Sequence, residues 1–158
     1  MVLDRLIRSE NFPVKLVRVG RPAPGWDEMV NGSGLRDSII ELGPIPHREM
    51  PQIYSSVDCL LFPSLYEGFG WPPLEAMACG TPVVTSNIAS LPEVVGNAAF
   101  VRDPLDVDGL ATDVAAALTD LRQREQKIEQ GQKQAAKFSW QAHANALYEI
   151  YESIQRTS

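Results

Sequence analysis

The sequence predicts an α/β fold, a doubly wound parallel sheet followed by helices. Three observations point there. Short apolar runs alternate with longer segments of helical period from Val14 to Val101. Several of these runs are continuous rather than alternating, which suits parallel strands covered on both faces. Beyond Asp103-Pro104 only helical spacing remains.

The elements follow in order. Val2, Leu3, Leu6 and Ile7 lie at helical spacing with no capping residue ahead of them, so the chain is expected to begin inside a helix. In a doubly wound sheet a helix follows a strand, and the first strand of the sheet is therefore expected to be missing. Strands are predicted at VKLVRVG (14–20), SIIELG (38–43), DCLLFP (58–63), TPVVTS (81–86) and AAFV (98–101). Helices are predicted over about 25–34, 47–56, 72–79 and 91–95. Pro72 and Pro73 can open the third of these, because the first helical N–H groups have no intrahelical partner to lose, and Gly80 can close it. Ser90 and Glu93 have the spacing of a capping box at the fourth. Leu110, Val114, Ala117, Leu118 and Leu121 share one helical face; a polar stretch to Lys137 follows. Ser139 then reads as the cap of a last helix through Arg156, with Leu147, Ile150, Tyr151 and Ile154 as its apolar stripe.

Composition bounds what this fold can do. With 158 residues, 44% hydrophobic and 22% charged, the chain reads as one domain, residues 1–158, whose part from 104 to 158 is helical. A domain of this length buries roughly 70% of its unfolded surface. No apolar run approaches the ~20 residues that span a bilayer, and MVLDRLIRSE carries charges where a signal peptide needs its apolar core. A cytoplasmic protein is expected. Cys59 and Cys79, each in an apolar segment, read as buried core thiols rather than as metal ligands or a redox pair. The net charge of −6 argues against a nucleic-acid surface. Between Asp37 and Val101 the one basic side chain is Arg48, so an anion bound there must rely on backbone groups.

EGFGWPPLEAMACG (67–80) sits where such an anion belongs, after the DCLLFP strand and at the start of a helix. In open α/β sheets ligands bind at the carboxyl ends of the strands. Gly68 and Gly70 let a ligand approach the main chain closely, and the incoming helix offers free N–H groups and its dipole to a phosphate. Glu75, expected in the first turn, can accept two hydrogen bonds from a vicinal diol such as a ribose presents; Glu67 can accept from sugar hydroxyls. A ligand with ribose, diphosphate and sugar suits all three features. A connector turn and a glutamate that merely satisfies the dipole would show the same residues.

The run SLYEGFGWPPLEAMACGTPVVTSNIASLPEVVGNAAFVRDP resembles the C-terminal domain of glycosyltransferase family four, the group 1 glycosyltransferases of GT-B architecture, including their paired glutamates at Glu67 and Glu75. LGPIPHREMPQIYSSVDCLLFPS upstream and FSW at 138–140 are also similar to that family, so the resemblance extends from about Val14 onward. It implies a Rossmann-like sheet and a nucleotide-sugar donor site. Glu67 would contact the transferred sugar, the backbone of Gly68, Phe69 and Gly70 would approach sugar and diphosphate, Glu75 would hold the ribose, and Ile45 would contact the base through its backbone. It implies no cofactor or metal beyond a nucleoside diphosphate sugar of the GDP-mannose or UDP-glucose type, with the LPEVVGNAA run similar to that of mannosyltransferases. The expected activity is retaining transfer of a hexose, mannose or glucose, to a glycan or lipid-linked acceptor.

Departures from that family limit the expectation. Nothing here corresponds to its N-terminal, acceptor-binding domain with the catalytic histidine, nor to the first strand of the C-terminal domain and the Arg and Lys that follow it. No catalytic residue is evident, and the chain alone is expected to have little or no activity. Arg21, after the VKLVRVG strand, is a candidate substitute cation, and a missing central strand makes self-association worth testing. His47 and His143 read as exposed helix positions rather than general bases, and of the tryptophans only Trp71 is placed to stack on a ligand. Asn31-Gly32-Ser33 matches a glycosylation sequon that a cytoplasmic chain never uses. A non-catalytic nucleotide-binding subunit is the alternative; an epimerase or phosphorylase of the same architecture fits the paired glutamates less well.

Overall fold

A computed structural model describes residues 1–8 and 12–157, the side chains through Arg156. Along it run α1 (Val2–Arg8), β1 (Leu16–Val19), α2 (Trp26–Ser33), β2 (Ile39–Gly43), α3 (Met50–Ser56), β3 (Leu60–Phe62) and α4 (Trp71–Ala78). There follow β4 (Val83–Ser86), α5 (Leu91–Val95), β5 (Phe100–Arg102), α6 (Val107–Thr119), α7 (Leu121–Ala135) and α8 (Trp140–Thr157). Every predicted strand is present, each shorter than its apolar run, and the last is shifted to Phe100–Arg102 because Gly96–Ala98 winds into a single 3₁₀ turn.

All strand pairs are parallel, but the sheet is in two pieces. β2 pairs with β1, and β3, β4 and β5 pair in that order. In a sheet of order 3-2-1-4-5-6 the place between these pieces belongs to the first strand. β1 and β3 both line the cavity there, of about 930 Å³, with Val2, Leu3 and Leu6 of α1 beside them. The consequence shows in burial. β4, flanked on both sides, is buried throughout, whereas the residues of β1 and β3 are only half-buried.

Two apolar clusters hold the larger piece. One joins Leu74, Ala76 and Met77 of α4 to Val83, Val94, Val95 and Ala135; the other joins Val2 and Leu6 of α1 to Val84, Phe100, Leu110 and Val114. Fully burying one such side chain contributes about 1.5–3 kcal/mol. Cys59 and Cys79 pack against these clusters but are only half-buried, a correction to the expectation that both lie inside. Burial pushes the Cys59 thiol up to about 12, so it is an uncharged packing group.

The polar stretch to Lys137, read within the helical part 104–158 but given no helix bounds of its own, is helix α7. Its Gln, Glu, Lys and Arg residues are good helix formers, and it meets the core through the small Gly131 and Ala135 rather than through an apolar stripe. Asp120 caps it by accepting the Gln123 N–H at 3.0 Å. Ser139 caps α8 as expected, its Oγ accepting the Ala142 N–H at 3.0 Å. The stripe of α8 faces solvent, however: Leu147, Ile150, Tyr151 and Ile154 are all exposed.

The small sheet carries its own polar cluster. Register puts Arg18 beside Glu41, and Arg18 Nη2 donates to Glu41 Oε2 at 2.7 Å while Trp26 Nε1 donates to Oε1 at 3.2 Å. Led by the Arg18 bond, then Trp26 and Arg36, these contacts hold the Glu41 carboxyl at about 2 against an ordinary 4.5. A carboxyl lowered on folding adds stability above its unfolded pKa that is lost as pH falls toward the folded one. Stability is therefore expected to decline between pH 4.5 and about 2, and Glu41→Gln to remove that part of the decline in acid-unfolding curves. Parallel curves for the two proteins would contradict it.

Candidate functional site

The site is built from loops that leave the carboxyl ends of parallel strands. The loop after β3 runs from Pro63 to Gly70 and opens α4; the loop after β2 carries Ile45; the loop after β4 ends at Ser90. A bond from His47 to Glu75 shows that the loop after β2 and the helix after β3 lie together, although their strands belong to separate sheet pieces.

Gly70 is the pivot. It is buried, with φ of 105° and ψ of 47°, and an added Cβ would lie 2.8 Å from Leu91 Cδ2, so only glycine fits both the backbone and the space. Gly68 is exposed, with nothing near its Cβ position. Phe69 is half-buried, and its ring lies 4.7 Å from that of Trp71. Trp71, half exposed, continues to Trp140 at 6.2 Å. Its indole is thus part of an aromatic row as well as a surface beside the loop.

Ser90 holds this loop from behind. The capping box with Glu93 does not form, because Ser90 is itself in the helical region of the backbone and makes no cap bond. Its Oγ instead donates to the Phe69 carbonyl at 2.8 Å, with the Glu67 carbonyl at 3.4 Å. With Gly70 packed on Leu91, the start of α5 sets the shape of the glycine turn.

The helix start differs from expectation in one respect that bears on anion binding. α4 begins at Trp71, so Pro72 and Pro73 occupy the second and third helical positions and donate nothing, and the Leu74 N–H bonds the Gly70 carbonyl at 3.4 Å. Helical N–H groups are therefore scarce. Among the described residues the amides of Gly68, Phe69, Gly70 and Trp71 donate to no main-chain carbonyl, which leaves the turn as the donor surface.

The earlier start also moves Glu75 to the fifth helical position, outside the first turn where the dipole would hold it. Side chains hold it instead. Tyr54 Oη donates to Glu75 Oε2 at 3.1 Å and His47 Nε2 meets Oε1 at 2.9 Å. Burial foremost, then the charge of Glu75, pushes the Tyr54 phenol up, so it stays a donor. An ionised carboxylate offers about four lone-pair sites, and these two bonds leave the rest for a ligand. The Glu67 carboxylate, half-buried, has no hydrogen-bond or ion-pair partner among the described residues. Ile45 is half-buried, two residues before His47.

His47 departs from the sequence reading: it is exposed, as expected, but paired across 28 residues of chain. His47, in the 3₁₀ turn before α3, and Tyr54, on α3, both reach Glu75; their seven-residue spacing was visible in the sequence, whereas nothing in it pointed to the Ser90 contact. Arg21 is exposed, just past β1, and His143 stands on α8 with its ring 6.3 Å from Trp140. Neither joins the Glu67 to Glu75 group through any described contact. No group of three or more His, Cys, Asp or Glu that could hold a metal ion occurs among the described residues, and no described helix is long and apolar enough to cross a membrane.

A parallel, doubly wound sheet with a glycine turn and two carboxylates at its carboxyl edge defines an α/β domain of the class that binds ligands in that crevice. The chain belongs to the group 1 glycosyltransferases: the family described as "Glycosyl transferases group 1" matches residues 3–134. It is similar to the O-antigen chain mannosyltransferase B of Escherichia coli, 44% identical over 135 residues, covering 82% of this chain and 35% of that protein. It is also similar to the MMP alpha-(1->4)-mannosyltransferase of Mycolicibacterium hassiacum, 32% identical over 152 residues, covering 94% of this chain and 37% of that one. In fold it matches the sucrose-phosphate synthase of Thermosynechococcus elongatus with a TM-score of 0.82 at 26% identity, covering 99% of this chain and 43% of the synthase. The chain thus spans little more than a third of the length of these mannosyltransferases.

Proposed function

We propose that the chain is the donor-binding part of a retaining hexosyltransferase, taking a nucleoside diphosphate sugar of the GDP-mannose type ahead of UDP-glucose. The acceptor, a glycan or lipid-linked sugar, is bound by a separate N-terminal domain, and the protein works in the cytoplasm. The observation that carries this reading is Glu75, a carboxylate fixed by Tyr54 and His47 beside a glycine turn whose amides have no main-chain partner. In the proposed complex Glu75 accepts the ribose hydroxyls, the amides of Gly68, Phe69 and Gly70 face the diphosphate and sugar, Glu67 accepts from the sugar, and Ile45 lies against the base. The names of two mannosyltransferase relatives support a mannose donor.

Glu67 is given to the sugar and Glu75 to the ribose, and no general base is assigned, so catalysis rests on holding the donor and stabilising the leaving diphosphate, with front-face attack by the acceptor. Two measurements test this. Ligand-observed NMR with UDP, GDP and ADP is expected to show one of them bound, and binding of none at millimolar concentration would contradict the reading. Incubation with GDP-mannose and a simple mannoside is expected to give no turnover by this chain alone; robust turnover would show that the separate domain is unnecessary.

The half-open groove between β1 and β3 favours a second reading, a nucleotide-binding subunit without chemistry that is completed by another segment or by self-association. Sedimentation with and without a candidate N-terminal domain, followed by the same transfer assay, separates the two.

A further inference from the structure

We propose that His47 is a positioning residue: it docks the base-facing loop onto Glu75 and fixes that carboxylate for a ribose diol. The proposal rests on the reading of Glu75 as the ribose acceptor and assigns to it a partner that the sequence left as a bystander.

Gly43 turns the chain at the end of β2 with φ of 64°, Pro44 and Pro46 flank Ile45 and restrict it, and His47 begins the turn that leads into α3. A loop so stiffened carries Ile45 and His47 as one body. His47 Nε2 lies 2.9 Å from Glu75 Oε1, and because an ionised carboxylate only accepts, Nε2 bears the hydrogen. Tyr54 Oη binds the other oxygen at 3.1 Å. One donor alone leaves a carboxylate free to rotate about its last bond, whereas donors on both oxygens set its plane. The lone pairs that remain then face in fixed directions, as a diol requires. Glu75 is also only partly exposed, so it gains from both partners without being closed to solvent.

This arrangement separates a positioning role from a structural one. The His47 side chain is 86% exposed, so its loss removes little packing. Its effect should appear only with a ligand that has a diol to present. Dissociation constants are therefore measured for UDP and GDP and for their 2′,3′-dideoxy forms, on the wild-type chain and on Glu75→Ala, His47→Ala and His47→Gln.

The wild-type chain is expected to prefer the ribose form by about tenfold or more, as for a charge-assisted pair of bonds, and Glu75→Ala to erase the preference. His47→Ala is expected to reduce the preference about threefold with unchanged affinity for the dideoxy form, and His47→Gln, which keeps an N–H donor, to restore most of it. A full wild-type preference in His47→Ala overturns the role given to His47 while leaving Glu75 in place. If the wild-type chain shows no preference, or Glu75→Ala retains it, the ribose reading itself fails and the role of His47 with it.

Discussion

Gly70→Ala is expected to destabilise the fold by about 2–6 kcal/mol, combining about 1–3 for a side chain held at positive φ with a similar amount for overpacking. At φ of 105° the backbone of an alanine is strained, and its Cβ would stand 2.8 Å from Leu91 Cδ2. Leu91 cannot yield easily, because it is fully buried at the start of α5. If the chain relieves the clash by moving the turn, it breaks the Ser90 bond to the Phe69 carbonyl and displaces the amides proposed to face the diphosphate. The variant should thus lose nucleotide affinity even at temperatures where it stays folded. Thermal unfolding with nucleotide titration measures both losses. Gly68→Ala is the control, since nothing lies near its Cβ position and its φ is not positive; it should be close to neutral for stability. Equal stability of Gly70→Ala and wild type would remove the claim that the turn is built around that glycine.

Met77→Ala is expected to destabilise by about 2–5 kcal/mol, the range for emptying a buried methionine site. Met77 is only 2% exposed, in the cluster that joins α4 to β4, α5 and α7. Its Cγ lies 3.1 Å from where a Cβ on Gly131 would stand, so the α4–α7 contact has no spare room from either side. Gly131→Leu should accordingly destabilise through overpacking, by about 1–3 kcal/mol or more. Urea midpoints that fall with little change in slope would show lost stability rather than an altered denatured state. If both substitutions are nearly neutral, α7 does not close this core.

These two predictions mark where the sequence was legible and where it was not. β4 was plain because both faces of it are covered: Val83 and Val84 stand side by side with no outward polar alternation, and Thr85 and Ser86 are buried with them. The parallel strand pairing was legible from short apolar runs alternating with helical segments. The bounds and packing face of α7 were hidden because its core contacts are made by Gly131 and Ala135, residues that carry little apolar signal among so many Gln and Glu. The candidate site was drawn as a set of neighbours in sequence, Glu67 to Glu75, without the groups that hold it. Tyr54, His47 and Ser90 lie 21 to 28 residues from the groups they hold, and only the fold brings them to Glu75 and Phe69. Ser90 and Glu93 show how local spacing misleads: the serine that could have capped a helix serves the neighbouring loop instead, because Gly70 packs on the residue that follows it.

The central claim is that Glu75, held by Tyr54 and His47, receives the ribose of a nucleoside diphosphate. Its most direct test is ligand-observed NMR of the preferred nucleotide with the wild-type chain and with Glu75→Ala. A charge-assisted contact of roughly 1.5–3 kcal/mol predicts binding weakened by about ten- to a hundredfold on substitution. Unchanged affinity in Glu75→Ala would contradict it.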